Sequence, residues 1–197
     1  MSNKSKIAII GAAGVGKTTL LDALFDPSLS LRGERSSTWQ SRYVKIEEVV
    51  RKLCAERGYD SPYPISEDMN QFRFDVLTKQ IELEKQAGSF IVDRSTIDAW
   101  AYYMRWSWNS STVETSEEFY QLAYEQAQNY DLLIYLPIMF EVKDDGYRWA
   151  NPVYQKQVDR LLRSIINDWD LKDMVYEIKS ETTCHRLQEL SCFFSWV

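Results

Sequence analysis

Near the start of the chain, Gly11-Ala12-Ala13-Gly14-Val15-Gly16-Lys17-Thr18-Thr19 places glycines, a lysine and hydroxyls at the spacing G-x-x-x-x-G-K-[ST]. The chemistry this order suits is a grip on a chain of phosphates. Glycine at Gly11, Gly14 and Gly16 allows the backbone angles and close approach by which successive N–H groups curl around oxygen atoms. A helix opening near Lys17 adds N–H groups that no helical carbonyl takes up, together with the positive end of its dipole. Lys17 is then placed to reach the β- and γ-phosphates of a nucleoside triphosphate, and the Thr18 hydroxyl to bind Mg²⁺.

Other side chains able to do chemistry stand at the ends of apolar runs. Asp93 closes Phe90-Ile91-Val92-Asp93, and Arg94, Ser95 and Asp98 follow it. Glu48 and Arg51 lie one helical turn apart, with Glu47 beside them. Arg148 sits in an irregular stretch with Lys143, Asp144, Asp145 and Gly146.

The elements that must position these residues are legible from pattern. Lys6-Ile7-Ala8-Ile9-Ile10 is a short apolar, β-branched run that reads as a buried strand, and residues 19–25 continue as a helix after the glycine loop. Residues 26–37 read as a loop broken by Pro27, and a second strand is expected within 39–46. A helix over 47–57 ends at Gly58, residues 59–66 form a loop, and a longer helix over 67–87 ends at Gly88. The strand 90–93 leads to an aromatic helix over 96–106 and a polar loop over 107–115. Thr115-x-x-Glu118 makes a capping box for a helix through Asn129. Asp131 to Leu136 is a further strand, 137–151 is irregular, and Asn151-Pro152 opens a helix with Val158, Leu161, Leu162, Ile165 and Ile166 inward. A last strand over 174–178 and a last helix over 182–194 complete the chain. Strands alternating with helices mean a parallel sheet of about five strands with helices on both faces. Gly11, Asp93 and Pro137 all follow strand ends, so their loops should meet at one rim.

The 197 residues suffice for one core and are expected to form a single domain. The formal charge of −6 counts against a surface built to coat duplex DNA. Three scattered cysteines, Cys54, Cys184 and Cys192, read as reduced core thiols of a cytoplasmic protein, and His185 reads as structural. The chain enters its first strand without room for a signal peptide, and no apolar run approaches membrane-spanning length. Aromatic residues reach 14%, and the group Trp100, Tyr102, Tyr103, Trp106 and Trp108 has the helical spacing of core, with stacking on a flat ring as the alternative.

The stretch Asp93-Arg94-Ser95-x-x-Asp98-x-x-Ala101-Tyr102 resembles the Asp/Glu-Arg-Ser motif of deoxynucleoside kinases and the Asp-Arg motif of thymidylate kinases. Further likenesses are Glu48-Val49-Val50-Arg51, similar to a Glu-x-x-Arg helix start, and the long helix before Asp93. A third is Tyr135-Leu136-Pro137 followed by Asp144-Asp145-Gly146-x-Arg148. With the phosphate loop, the chain over roughly residues 6 to 170 resembles the small P-loop ATPase/kinase family that contains the ribosylnicotinamide kinase domain of the bacterial NAD-biosynthesis regulator. Two departures fall where acceptor specificity would be set: a long polar segment at 29–46, and the aromatic richness of 100–108.

The resemblance implies the three-layer P-loop NTPase fold with a lid at about 137–151. It implies ATP and Mg²⁺ as cofactors, bound by residues Gly11, Ala12, Ala13, Gly14, Val15, Gly16, Lys17, Thr18 and Thr19, with Thr18 and Asp93 on the metal. Catalytic roles fall to Lys17, Asp93, Glu48 and Arg148, the last from the lid, with Arg160 and Arg163 as weaker lid candidates. Acceptor binding falls to Glu48, Arg51, Arg94 and Asp98. Whether Asp93 or Glu48 is the base stays open, with Glu47 a rival to Glu48. Asp93 could instead cap the helix after it, Arg94 could be a surface ion pair, Asp98 an exposed first-turn acid, and Glu48 and Arg51 a solvated pair. Arg94 after the acid, where a motor ATPase carries glutamate, and the absence of an Asn-Lys-x-Asp motif leave a kinase as the first expectation. Its acceptor would be a nucleoside, nucleotide or nicotinamide riboside-like small molecule. A kinase acting on a hydroxyl of DNA, tracked by Arg32, Arg35 and Arg42, is the alternative; a non-catalytic nucleotide-dependent switch is the other. No membrane partner is expected, and a homodimer is left open.

Overall fold

The computed structural model of the protein describes residues 5–26, 28, 40–62, 69–142 and 150–194. At its centre, β1 (Lys6–Ile10) is buried except at its first residue, as its unbroken apolar run requires of a strand covered on both faces. It pairs in parallel with β3 (Phe90–Asp93) on one side and β4 (Leu132–Tyr135) on the other, with Ala8 in register with Val92 and with Leu133. β2 (Val44–Ile46) lies outside β3, and β5 (Val175–Glu177) outside β4, giving a five-stranded all-parallel sheet in the order β2-β3-β1-β4-β5.

Among the described residues seven helices surround this sheet, completing a three-layer α/β arrangement. They are α1 (Lys17–Phe25), α2 (Val49–Arg57), α3 (Met69–Ala87), α4 (Thr96–Trp106), α5 (Val113–Ala127), α6 (Pro152–Asp168) and α7 (Thr183–Phe194). α1 packs against α7, while α4 packs against α3, α5 and α6. The core joins Ile7, Ile9, Leu20 and Leu24 to Phe90, Ile91, Leu133, Tyr103 and Phe119. Trp100 and Tyr103 stack at 5.5 Å and Tyr103 and Phe119 at 4.2 Å, an aromatic seam between α4 and α5.

The chain departs from β1 toward β2 and β3 on one side and later crosses to β4 and β5 on the other. Such a reversal leaves a crevice at the carboxyl ends of the strands. The loops after β1, β3 and β4 meet there. Their approach is close: a Cβ placed on Gly11, whose φ is +143°, would stand 2.5 Å from the Leu136 carbonyl oxygen.

Four local expectations are corrected. The helix expected from Thr115 starts two residues earlier, because Thr112 is its cap and accepts from the Thr115 N–H at 3.2 Å. A run of Ser110, Ser111 and Thr112 offers several possible caps, and the hydrogen bond selects one. The second strand is short, Val44–Ile46, and Trp39 of its expected span lies outside the described residues. Cys184 and Cys192 are exposed, so only Cys54 is a core thiol. Trp108 is 53% exposed rather than core. No helix among the described residues is long and apolar enough to cross a membrane.

Candidate active site

The phosphate-type loop joins β1 to α1 with Gly14 and Gly16 at φ +79° and +92°, angles that only glycine adopts without strain. α1 opens at Lys17, whose ammonium is buried and donates to the carbonyls of Gly11 and Ala12, each at 2.7 Å. Burial lowers its pKa to about 8, helped by the Arg94 charge and opposed by Asp98, Asp93 and Glu48. Its charge is partly balanced by those three buried acids and lies beside the glycine loop, within reach of anionic oxygens bound there.

Asp93, the last residue of β3, is buried directly across from α1 and accepts a hydrogen bond on Oδ2 from the Thr18 hydroxyl. Its other oxygen, Oδ1, is buried with no hydrogen-bond partner among the described residues. Burial raises its pKa, with Lys17 opposing. A hydroxyl and a carboxylate, one oxygen still unsatisfied, beside a phosphate-type loop form the hard-oxygen donor set that Mg²⁺ takes. Thr18 and Asp93 therefore fit the metal expected of them. Asp93 does not cap the helix after it. Ser95 does, with its Oγ accepting from the N–H groups of Ile97 and Asp98 and its own N–H donating to Asp98 Oδ2 at 2.9 Å.

Arg94 is held at φ +78°, a left-handed conformation that costs a non-glycine residue of order 1–3 kcal/mol and concentrates at functional sites. Its Nε donates to Glu48 Oε1 at 2.5 Å, and Arg51 Nε donates to Glu48 Oε2 at 2.8 Å. Glu48 is thus a buried carboxylate between two guanidiniums, the first inward and the second at the surface. Arg94 Nη1 and Asp98 Oδ1 face each other at 3.9 Å, both buried and both without a hydrogen-bond partner among the described residues. Burial raises the Asp98 pKa, with Lys17 and Arg94 opposing. Asp98 is 1% exposed and so is not the solvated first-turn acid of the alternative reading. The Tyr102 ring lies 5.0 Å from the Arg94 guanidinium.

Two clefts meet at these residues. The first, about 220 Å³, is lined by Gly14, Gly16, Lys17, Thr18 and Asp93, with Glu48 and Arg94 at its far wall. The second, about 40 Å³, has Glu48, Arg94 and Asp98 at one side and Val49, Val76, Gln80 and Tyr102 among its other walls. Glu48 and Arg94 line both clefts. Glu47, by contrast, is exposed and bound to Lys45 at 3.1 Å, which separates the two neighbouring acids by burial.

Sequence reasoning missed several residues here. Gln80 and Arg73 of α3 line the second cleft, Gln155 of α6 donates to the Ala13 carbonyl at 2.8 Å, and Arg186 of α7 donates to the Val15 carbonyl at 3.0 Å. A signal existed for Gln80: Phe72, Val76, Gln80 and Glu84 recur every four residues, so polar side chains continue an apolar stripe. Arg186 gave none, since an arginine on a helix usually faces water. Of the weaker candidates, Arg160 is exposed and Arg163 is bound to Glu177 and Asp159 at the edge of the sheet. Arg148, Arg32 and Arg35 lie outside the described residues, and Arg42 is exposed.

The chain matches the AAA domain family over residues 6–181. Among curated proteins none matches. Solved structures do. The NadR protein in complex with NR is 18% identical at a TM-score of 0.70, over 98% of this chain and 53% of that one, so this chain spans about half of that protein's length. Deoxyadenosine kinase from M. mycoides with bound dCTP is 15% identical at a TM-score of 0.64, over 98% of this chain and 100% of that one. Thymidylate kinase from Candida albicans is 17% identical at a TM-score of 0.57, over 97% and 92%. Folded like these P-loop kinases and matched by the family model over residues 6–181, the chain belongs to the AAA domain family.

Proposed function

We propose that the protein is an ATP-dependent kinase that moves the γ-phosphate to a hydroxyl or phosphate on a nucleoside, nucleotide or nicotinamide riboside-like small molecule. The observation that carries this is the Glu48–Arg94 pair, which forms a wall common to the phosphate cleft and a second cleft of different chemistry. A switch that only reads a nucleotide has no use for such a boundary; transfer between two ligands needs one. The fold-level likeness to a protein crystallised with NR and to deoxyadenosine and thymidylate kinases supports an acceptor of this small-molecule class.

Phosphoryl transfer asks for positioning and charge neutralisation more than covalent help. The loop N–H groups and Lys17 hold the triphosphate. Thr18 and Asp93 would hold Mg²⁺, which neutralises charge on the phosphates when bound. At the boundary Glu48 takes the proton of the acceptor hydroxyl as its oxygen bonds to the γ-phosphorus. The bond from that phosphorus to the β-bridging oxygen breaks, and ADP departs. Arg94, with its unsatisfied Nη1, and Asp98, with its unsatisfied Oδ1, orient the acceptor oxygen; Arg51 holds Glu48 from the surface side.

The test is ADP release from Mg·ATP across ribo- and deoxynucleosides, their monophosphates, nicotinamide riboside and single-stranded DNA with plain and hydroxymethylated bases, with Lys17→Ala as the blank. Stimulation by a small acceptor is the expected result. Stimulation by DNA alone would move the acceptor to a macromolecule. Tight ATP binding with no transfer would replace the kinase by a switch.

A further inference from the structure

Besides Glu48, Arg94 and Asp98, the second cleft has Arg73 and Gln80 of α3 as polar walls, and the hydrogen-bond polarity of Gln80 is set from outside the cleft. Gln80 lines the cleft, and one turn further along α3 stands Glu84, 1% exposed. A buried carboxylate persists only when hydrogen bonds satisfy it. Glu84 receives three: Gln80 Nε2 reaches Oε1 at 2.6 Å, Tyr130 Oη reaches Oε1 at 2.9 Å and Gln126 Nε2 reaches Oε2 at 2.7 Å.

The direction of this chain is fixed at its beginning. The Thr96 backbone N–H can only donate, and it donates to Tyr130 Oη at 3.2 Å. Tyr130 is buried, so its own proton goes to Glu84 Oε1. That oxygen is then an acceptor whether Glu84 is ionised or carries a proton on Oε2. Gln80 must turn its NH₂ toward Glu84, and its carbonyl oxygen is left for the cleft. Among the described residues no donor reaches that carbonyl.

We infer that Gln80, held in this sense by Glu84 and Tyr130, selects acceptors whose ring presents an N–H donor, amino or amide, at the edge remote from the reacting oxygen, and rejects rings whose edge only accepts. The inference rests on the kinase reading above for the place of the acceptor. A carboxylate turned toward Gln80 meets its carbonyl oxygen with no proton to give it. The cleft is narrow, about 40 Å³, so a ring entering it must displace side chains of its wall. Glu84 and Tyr130 are positioning residues, since they act through Gln80. The cost of leaving a buried carbonyl without a donor corresponds to a discrimination of about tenfold to a hundredfold.

The experiment compares matched pairs that differ in the donor alone or in donor against carboxylate: adenosine with purine riboside, cytidine with pyrimidin-2-one riboside, nicotinamide riboside with nicotinic acid riboside. Each is measured for binding by calorimetry and for kcat/KM with Mg·ATP, in the wild type, Glu84→Met, Glu84→Gln and Gln80→Met. The wild type should favour the N–H member of at least one pair about tenfold or more. Gln80→Met removes the reader and Glu84→Met frees the Gln80 amide to rotate, so both should bring that ratio close to one. Glu84→Gln should keep the preference, because the replacement amide can leave its carbonyl toward Tyr130 and Gln80 and turn its NH₂ to Gln126. A merely structural role for Glu84 would lower both members together and leave the ratio unmoved. If Glu84→Met does not fold, Tyr130→Phe removes the donor that sets the polarity and is read the same way. Ratios near one in the wild type, ratios unchanged in Gln80→Met, or no binding of any of these compounds overturn the inference. Selective binding without phosphorylation overturns the kinase reading instead, and phosphorylation without selectivity overturns only the inference.

Discussion

At the scale of single residues, the site is a set of charges that burial has made interdependent. Lys17, with its pKa lowered to about 8 by burial, loses its charge as pH rises through that value, whereas an exposed lysine keeps it past pH 10. Bound phosphate favours the charged form and raises the pKa again. ATP affinity should therefore fall as pH rises above about 8, and binding near that pH should take up a proton, a quantity calorimetry in buffers of differing ionisation enthalpy reads directly. The sign for stability is opposite: the free protein gains stability as pH rises from about 8 toward the ordinary lysine value, because there the unfolded chain holds the proton more tightly. Lys17→Ala should lower turnover by about a hundredfold to a thousandfold, the usual loss when one preorganised donor to a developing charge is removed. Sequence could not choose between Glu47 and Glu48, since adjacent acids before a helix look alike. Their environments differ completely once β3 brings Arg94 against the second of them.

At the scale of elements, the site depends on how strands end and helices begin. Ser95 and Asp98 cap α4 reciprocally, and the same Asp98 turns its remaining oxygen to Arg94, so the cap and the site share a carboxylate. Ser95→Ala should cost about 1 kcal/mol in denaturant unfolding, typical of a lost N-cap, and should also weaken the acceptor's KM by loosening Asp98. Gly11→Ala should cost roughly 2–3 kcal/mol, because the new Cβ would meet a backbone carbonyl that cannot turn away. Both Gly11 and the Asp-Arg strand end were legible from residue type and spacing, as those contacts are local. Asp98 was legible as a first-turn acid but not as a buried one, which depends on α3 packing against α4 and on Arg94 turning toward it. The start of α5 was misplaced because adjacent hydroxyl residues compete for one capping role. The Thr96–Tyr130–Glu84–Gln80 chain spans elements that only the folded sheet brings together, and no local pattern announces it.

At the scale of the whole molecule, the parallel sheet places its reversal point between β3 and β4, with β1 in the middle and the phosphate-type loop at its end. The alternation of strands and helices was enough to expect a parallel sheet with its loops at one rim, but the strand order rests on pairings distant in sequence that no local pattern carries. Because the loop is held by α6 through Gln155 and by α7 through Arg186, nucleotide binding should stabilise the whole fold rather than one loop. At a hundredfold excess over Kd the stabilisation is about 2.7 kcal/mol, which for a chain of this size raises Tm by roughly 5–10 °C. Differential scanning fluorimetry with Mg·ATP should show that rise in the wild type and lose it in Lys17→Ala. The central claim, that a carboxylate wall between two clefts hands a phosphate from one ligand to the other, is tested most directly by substituting that wall. Glu48→Gln keeps the shape and removes the base, so with an acceptor identified the measurement is its kcat beside its Kd for ATP. The account predicts that kcat falls by about a hundredfold or more while the Kd for ATP changes little. A Glu48→Gln enzyme that transfers phosphate as fast as the wild type would contradict it.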